Sequence, residues 1–213
     1  MPTKILHNNM GSLRSEVIQF FKVPGAIKKS IRLFRMGLSE PYFVDFDVLI
    51  NDPYRCEQIV RLYVLKIREI NSKRPIDLLG FIEKYSGGTI GAIRIAGAIS
   101  IFTRIPNVPI RLTKEIRFER VKIPPVIGKP TKGRFSGAKI VVVTDHVTTG
   151  GEVLNAIDAV RYNGGEVTDV IAFTARTDKV RLNDFAERGV RFHSLFKLPE
   201  DLHRIGIIIE EEK

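Results

Sequence analysis

The pattern of apolar and polar positions divides the chain into alternating strands and helices. Short, mostly apolar runs at 41–50, 76–82, 108–112, 139–144, 167–174 and 190–196 predict strands. The stretches after Pro53 and at 89–103, 151–162 and 180–188 predict helices. Strands that alternate with helices are typical of a parallel sheet with helices on both faces. We therefore predict an α/β fold with a mostly parallel central sheet.

The first of these helices has the clearest pattern. Asp52 and Pro53 suit an N-cap followed by proline in the first turn. Steps of four and three then place one apolar stripe on a single face, made by Cys56, Val60, Tyr63, Ile67 and Ile70. Cys56 is therefore interpreted as a core residue rather than as a nucleophile.

Three regions follow from the same pattern. Residues 1–40 are assigned to an N-terminal segment or hood element, 41–205 to the α/β domain and 206–213 to a C-terminal tail. In the N-terminal segment only Ser12–Phe21 has a plausible helix start, and Pro24-Gly25 ends it. A DNA-binding helix-turn-helix is therefore not evident there.

The predicted sheet also locates a site. Ligands of such sheets bind outside the carboxyl ends of the strands. Three loops leave strand ends, at 83–88, 113–137 and 145–151. The middle loop is long and rich in proline and glycine, which in a compact domain indicates a functional or a disordered segment.

Composition narrows the class of protein. An apolar fraction of 44% is ordinary for a globular chain. No apolar run approaches the roughly 18–20 residues that cross a bilayer, and the first residues lack the apolar core of a signal peptide. The single cysteine, Cys56, excludes an internal disulfide and suits a reducing compartment. We therefore expect a cytoplasmic protein without a membrane segment.

Charge is concentrated in one part of the chain. The formal net charge is +10, and residues 104–139 hold ten Lys or Arg against two Glu, a net of +8. Such a segment attracts phosphates, either those of a nucleotide substrate or those of a nucleic-acid backbone. A solvated basic surface without a ligand is an equally simple explanation.

One motif carries specific chemistry. The apolar strand Ile140–Val143 leads into Asp145 and then into Thr148, Thr149, Gly150 and Gly151 before a helix. In such a turn the backbone N–H groups and the helix N-terminus favour an anion, and glycines let the backbone approach it closely. Asp145 could accept hydrogen bonds from ribose hydroxyls. A well-capped turn without a ligand is the alternative.

This segment resembles the motif by which type I phosphoribosyltransferases bind 5-phosphoribosyl-1-pyrophosphate (PRPP). The similarity extends over about residues 35–197 and is greatest to the orotate phosphoribosyltransferases. Ser39–Asp45 resembles the family's strand near the N-terminus, and Gly80–Ile90 resembles its pyrophosphate turn. The resemblance implies a homodimeric glycosyltransferase that converts orotate and PRPP to orotidine 5′-phosphate and pyrophosphate.

The resemblance also implies roles for particular residues. Asp145 would contact the ribose, and the Thr148–Gly151 turn would hold the 5′-phosphate. Mg²⁺ would be held by PRPP, with Asp145 as a candidate protein ligand. The further residues implied are Arg111 and Lys114 for PRPP, Arg117 as the catalytic cation of the mobile loop, and Arg176 with Arg35 for the base.

Three departures from the family pattern keep alternatives open. Thr144 replaces the first of two acids, and the loop around Ile116–Lys122 lacks the family's lysine motif. His146 replaces an apolar residue, and a solvent-facing loop histidine is its simpler interpretation. The alternatives are a salvage phosphoribosyltransferase for another base and a catalytically silent PRPP-sensing regulator that binds nucleic acid.

Overall fold

In the computed structural model of the protein, residues 9–33, 38–84, 91–112 and 135–208 are described. The helices are α1 (Met10–Val17), α2 (Phe46–Ile50), α3 (Pro53–Lys73), α4 (Gly91–Thr103), α5 (Gly151–Tyr162), α6 (Leu182–Glu187) and α7 (Glu200–Arg204), and a 3-10 helix spans Ile18–Lys22. The strands are β1 (Ile27–Leu33), β2 (Leu38–Val44), β3 (Leu78–Lys84), β4 (Asn107–Leu112), β5 (Lys139–Val147), β6 (Glu166–Arg176) and β7 (Arg191–Leu198). Within these ranges, no helix combines the length and the apolar character needed to cross a membrane.

The central sheet is parallel and has five strands in the order β4-β3-β5-β6-β7. The chain leaves β3 for β4 on one side and later returns to β5 on the other side of β3. The order therefore reverses between β3 and β5, and the crevice outside the carboxyl ends of these two strands is the expected ligand position. β1 and β2 form a separate antiparallel pair.

The side chains of β5 alternate between two cores. Val141 and Val143 belong to the core that α1, α3 and α4 complete, whereas Ile140 and Val142 belong to the core that α5 covers. All four are fully buried, which explains why the sequence of this strand is continuously apolar. The predicted α/β architecture with helices on both faces is confirmed.

Aromatic rings pack the 3-10 helix that follows α1 against the sheet. Phe173 of β6 stacks on Phe21 of the 3-10 helix at 5.9 Å, and its ring also meets Phe46 and Phe196 edge-on at 5.1 and 5.2 Å. Residues 10–22 thus pack in the same core as the sheet. The division of the chain at residue 40 and the hood role of the N-terminal segment remain predictions.

The predicted helix after Pro53 is confirmed in detail. The Asp52 carboxylate accepts a hydrogen bond from the Arg55 N–H at 2.9 Å and caps α3. Val60 and Tyr63 on its stripe are at most 2% exposed. Cys56 packs against the same core, and burial raises the pKa of its thiol, opposed by the charge of Arg94.

One local prediction was wrong, and one strand was missed. The segment 41–50 is not one strand, because Asp45 accepts a hydrogen bond from the Val48 N–H at 3.2 Å and starts the short helix α2 at Phe46. The strand β1 was not predicted, and it pairs with β2 from Ile27 to Leu33. In the part of 1–40 that is described, the helical residues end at Lys22.

Candidate functional site

The turn between β5 and α5 has the geometry of an anion site. Thr148 is half-buried and Thr149 is exposed, while Gly150 is buried with φ +92°. Helix α5 begins at Gly151, and the N–H groups of its first turn have no carbonyl partners within the helix. Together with the helix dipole, these donors favour a negative charge in front of the turn.

Asp145 lies just before this turn, near the end of β5, and is only 4% exposed. Its Oδ1 accepts hydrogen bonds from the backbone N–H of His146 at 2.7 Å and from the Thr144 hydroxyl at 3.4 Å. Its Oδ2 would be 3.0 Å from a Cβ on Gly91, where a side chain would also overlap the Phe46 ring. The carboxylate therefore faces the start of α4, where only glycine fits.

Tyr63 of α3 holds the end of β5 by a hydrogen bond. Its hydroxyl donates to the carbonyl of Thr144 at 2.7 Å, and its side chain is fully buried. Burial, with a contribution from the charge of Asp145, raises the pKa of Tyr63 well above its ordinary value. The phenol thus remains a neutral hydrogen-bond donor beneath the site.

Arg176 ends the neighbouring strand, next to Ala175, which pairs with Val147 of β5. The arginine is 2% exposed and is therefore not a surface residue. Its Nε and Nη2 donate to the two carboxylate oxygens of Asp178 at 2.9 and 2.6 Å. Its guanidinium lies over the ring of Tyr42, 4.7 Å from the centroid. The cation is therefore held in one orientation by an ion pair and a ring face.

His146 is not a solvent-facing loop residue, and that interpretation was wrong. It lies within β5, which extends to Val147, three residues beyond the predicted end at Thr144. The half-buried imidazole has Nδ1 at 2.7 Å from the Thr174 hydroxyl and Nε2 at 3.3 Å from the Thr148 hydroxyl. The histidine therefore joins β6 to the Thr148–Gly151 turn.

A second charged cluster lies at the other end of the sheet. Asp169 is fully buried on β6, seven residues before Arg176 and so about 23 Å away along the strand. Burial alone would raise the pKa of Asp169. Hydrogen bonds from His193, Arg191, Thr168 and Arg74 outweigh this effect and hold the pKa well below its ordinary value. This cluster braces the sheet and is not part of the site.

Comparison with known proteins agrees with this geometry. No family model matches the chain. Curated orotate phosphoribosyltransferases from Methanothermobacter thermautotrophicus and Pyrococcus horikoshii are each 26% identical to it, over 195 and 196 residues, which is 92% of this chain and 97% and 96% of theirs. The chain is a homologue of the orotate phosphoribosyltransferases.

Solved structures confirm the type I phosphoribosyltransferase fold. The orotate phosphoribosyltransferase from Aeropyrum pernix matches with a TM-score of 0.68 at 22% identity, covering 89% of this chain and 98% of that one. An adenine phosphoribosyltransferase from Saccharomyces cerevisiae matches with a TM-score of 0.59 at 16% identity, covering 85% and 99%. At these identities the likeness concerns the fold.

In this phosphoribosyltransferase homologue, the structure brings together part of the predicted site. Asp145 and the Thr148–Gly151 turn are contiguous, and Arg176 ends the adjacent strand. Arg111 pairs with Glu83 through its backbone in β4, but its side chain is outside the described part. The other predicted residues, Arg35, Lys114 and Arg117, lie outside the described residues.

Sequence reasoning did not find Tyr42, Asp178 or Thr174. Asp178 had a usable signal, since an acid two residues after an arginine at a strand end can return to its guanidinium. Tyr42 and Thr174 had none, because their contacts depend on how distant strands meet.

Proposed function

We propose that the protein transfers the 5-phosphoribosyl group of PRPP to orotate and forms orotidine 5′-phosphate and pyrophosphate. The observation that carries this proposal is the buried Asp145 leading into the Thr148–Gly151 turn at the start of α5, beside the point where the strand order reverses. Similarity to orotate phosphoribosyltransferases over 92% of the chain supports it.

In this proposal the turn holds the 5′-phosphate of PRPP. The backbone N–H groups of α5's first turn donate to phosphate oxygens, and the hydroxyls of Thr148 and Thr149 add side-chain donors. Gly150 lets the backbone turn sharply, with a φ that other residues rarely adopt. The phosphate anchors the substrate so that its anomeric carbon lies near Asp145.

Asp145 positions the ribose and stabilises its positive charge. The displacement passes through a transition state with oxocarbenium character, so a fixed carboxylate lowers its free energy. The hydrogen bond from the His146 N–H at 2.7 Å holds Oδ1, which spares reorganisation when charge develops. The protein thus contributes positioning and electrostatics rather than a covalent intermediate.

Arg176 recognises orotate. A guanidinium suits the planar carboxylate that distinguishes orotate from purine bases and uracil. It has five N–H donors, and Asp178 engages Nε and Nη2 at one edge. The Tyr42 ring covers one face of the planar guanidinium, so the base would meet a cation of fixed orientation.

The remaining cations complete the proposal. Arg111, Lys114 and Arg117 would neutralise the leaving pyrophosphate, and Arg35 would lie near the base. Arg117 would come from the loop of the neighbouring subunit, as the family resemblance implies, so we propose a homodimer. Sedimentation velocity with and without PRPP would test it, and a monomer with full activity would refute it.

Magnesium suits the donors at this site. Across the described ranges, no group of three or more His, Cys, Asp or Glu residues converges to hold a metal ion. Asp145 offers a single carboxylate, and Mg²⁺ is commonly bound by one or two carboxylates together with substrate phosphates. Bound to PRPP, the ion would neutralise the pyrophosphate, and Asp145 is the residue that would hold it.

A salvage phosphoribosyltransferase for another base is the second candidate. The ion pair between Arg176 and Asp178 favours it, because that carboxylate already engages the guanidinium that orotate would use. An adenine phosphoribosyltransferase also shares the fold. The two candidates differ only in the base, so one assay separates them.

The test is pyrophosphate release from PRPP and Mg²⁺ with orotate, uracil, adenine, guanine and hypoxanthine in parallel. Release with orotate alone is the expected result. Release with a purine alone would replace orotate by salvage of that base. PRPP binding without release for any base would exclude an enzyme and favour the PRPP-sensing regulator.

A further inference from the structure

Three side chains form a hydrogen-bonded row across β5 and β6. Thr174 is 1% exposed and stands opposite His146 in the strand register. Its hydroxyl is 2.7 Å from Nδ1 of His146, and Nε2 of the same ring is 3.3 Å from the hydroxyl of Thr148. The row therefore begins in the sheet and ends at Thr148, the first residue of the Thr148–Gly151 turn.

The imidazole tautomer decides which way this row points. A neutral imidazole carries one proton, so one nitrogen donates and the other accepts. If Nδ1 carries the proton, it donates to Thr174, and Thr174 can donate to the Asp145 carbonyl at 3.4 Å. Thr148 must then donate to Nε2, and its only proton points back into the sheet.

The other tautomer reverses the row. Thr174 donates to Nδ1, and Nε2–H donates to the oxygen of Thr148. The Thr148 proton is then directed away from the imidazole, toward the front of the turn. Of the two neutral tautomers, only this one leaves the Thr148 hydroxyl free to donate to a phosphate, in addition to the Thr149 hydroxyl and the backbone N–H groups.

We propose that His146 is a positioning residue that, in the Nε2–H tautomer, orients the Thr148 hydroxyl to donate to the 5′-phosphate. The inference rests on the proposed function for the identity of the ligand. Thr174 fixes the ring from the sheet side, and the Phe43 ring lies 6.4 Å from it, edge-on. A bound phosphate therefore selects one tautomer.

Two amide variants distinguish the roles of the two imidazole nitrogens. The amide nitrogen of glutamine can take the place of Nε2, and that of asparagine can take the place of Nδ1. His146→Gln keeps a donor for Thr148, whereas His146→Asn keeps only the contact with Thr174. In His146→Asn the Thr148 hydroxyl is no longer oriented to donate to the phosphate. Hydrogen bonds to charged groups are the stronger ones, so loss of this bond should weaken phosphate binding about tenfold to hundredfold.

The first measurement is calorimetric titration with ribose 5-phosphate, which carries the 5′-phosphate without pyrophosphate. We expect a Kd within about twofold of the unsubstituted protein for His146→Gln and about tenfold or more higher for His146→Asn. In turnover, KM for PRPP should rise in His146→Asn while KM for orotate stays constant. Equal affinities in both variants, whether intact or lost, would overturn the proposal.

The second measurement does not depend on turnover. Long-range ¹H–¹⁵N correlation spectra of ¹⁵N-histidine-labelled protein, recorded in alkaline buffer where imidazoles are neutral, report the tautomer of each histidine. Saturation with ribose 5-phosphate should give the Nε2–H pattern for His146, assigned with His146→Gln. An Nδ1–H pattern in the complex would refute the inference. If ribose 5-phosphate binds with the Nε2–H pattern but PRPP is not turned over with any base, the proposed function alone is refuted.

Discussion

Replacing Gly150 with alanine should destabilise the protein, although the change adds only one methyl group. Alanine at φ +92° costs about 1–2 kcal/mol. The added Cβ would also lie 3.0 Å from Cε2 and Cζ of Phe185, which is 1% exposed, and overpacking of a buried ring costs about 1–3 kcal/mol. Alanine also reduces the conformational freedom of the unfolded chain, which offsets about 0.4–1 kcal/mol of this destabilisation. The expected net loss is about 3 kcal/mol.

Gly151→Ala is the matched control in the next position. The nearest atom to a Cβ there is the Thr149 hydroxyl oxygen at 4.0 Å, and the residue opens helix α5. Alanine fits this conformation without strain. It should therefore leave the free energy of unfolding unchanged or raise it by up to about 1 kcal/mol.

Urea denaturation followed by circular dichroism measures both effects. With a slope of about 2 kcal/mol per molar urea, the midpoint of Gly150→Ala should fall by about 1.5 M. That of Gly151→Ala should stay constant or rise by up to about 0.5 M. Midpoints that agree within about 0.3 M would show that the turn relaxes around either methyl group, and the steric argument would fail.

Three further changes test other parts of the molecule. Asp169→Asn should lower the free energy of unfolding by about 2–3 kcal/mol near neutral pH. Because the folded pKa of Asp169 is depressed, this difference should shrink as pH falls below about 4, and a constant difference in denaturation midpoints at pH 7 and 3 would contradict it. Tyr63→Phe should cost about 1 kcal/mol in urea denaturation through loss of the bond to the Thr144 carbonyl, and no loss would mean that the carbonyl is satisfied otherwise. Arg176→Lys should lower kcat/KM for orotate about 10²-fold and leave KM for PRPP nearly constant. An equal fall in kcat/KM for PRPP would show that Arg176 does not act in base recognition.

The sequence predicted those parts of the site that are local. Asp145 and the Thr148–Gly151 turn follow one another along the chain, so a strand, a turn and a helix start were readable without tertiary information. The contact of Arg176 with Tyr42 depends instead on where β2 meets the end of β6. Spacing within one segment contains no such information.

Two other differences have equally physical causes. The apolar run at 41–50 fits a strand by composition, but the Asp45 cap turns its second half into α2. His146 resembled a loop residue because polar side chains end most buried strands. Its partner Thr174 lies on the next strand, and only the parallel register brings the two together.

The reversal of strand order between β3 and β5 also bears on how the site forms. Leu78 pairs with Ile140, although β4 and a long connection separate them in the sequence. Closing such a loop costs chain entropy before any contact compensates it, and pairings of this kind slow folding. The approach of Gly91 to Asp145 therefore depends on this long-range pairing of β3 with β5. A ligand at this crevice would bind the complete sheet and no smaller fragment, so its binding energy would stabilise the whole fold.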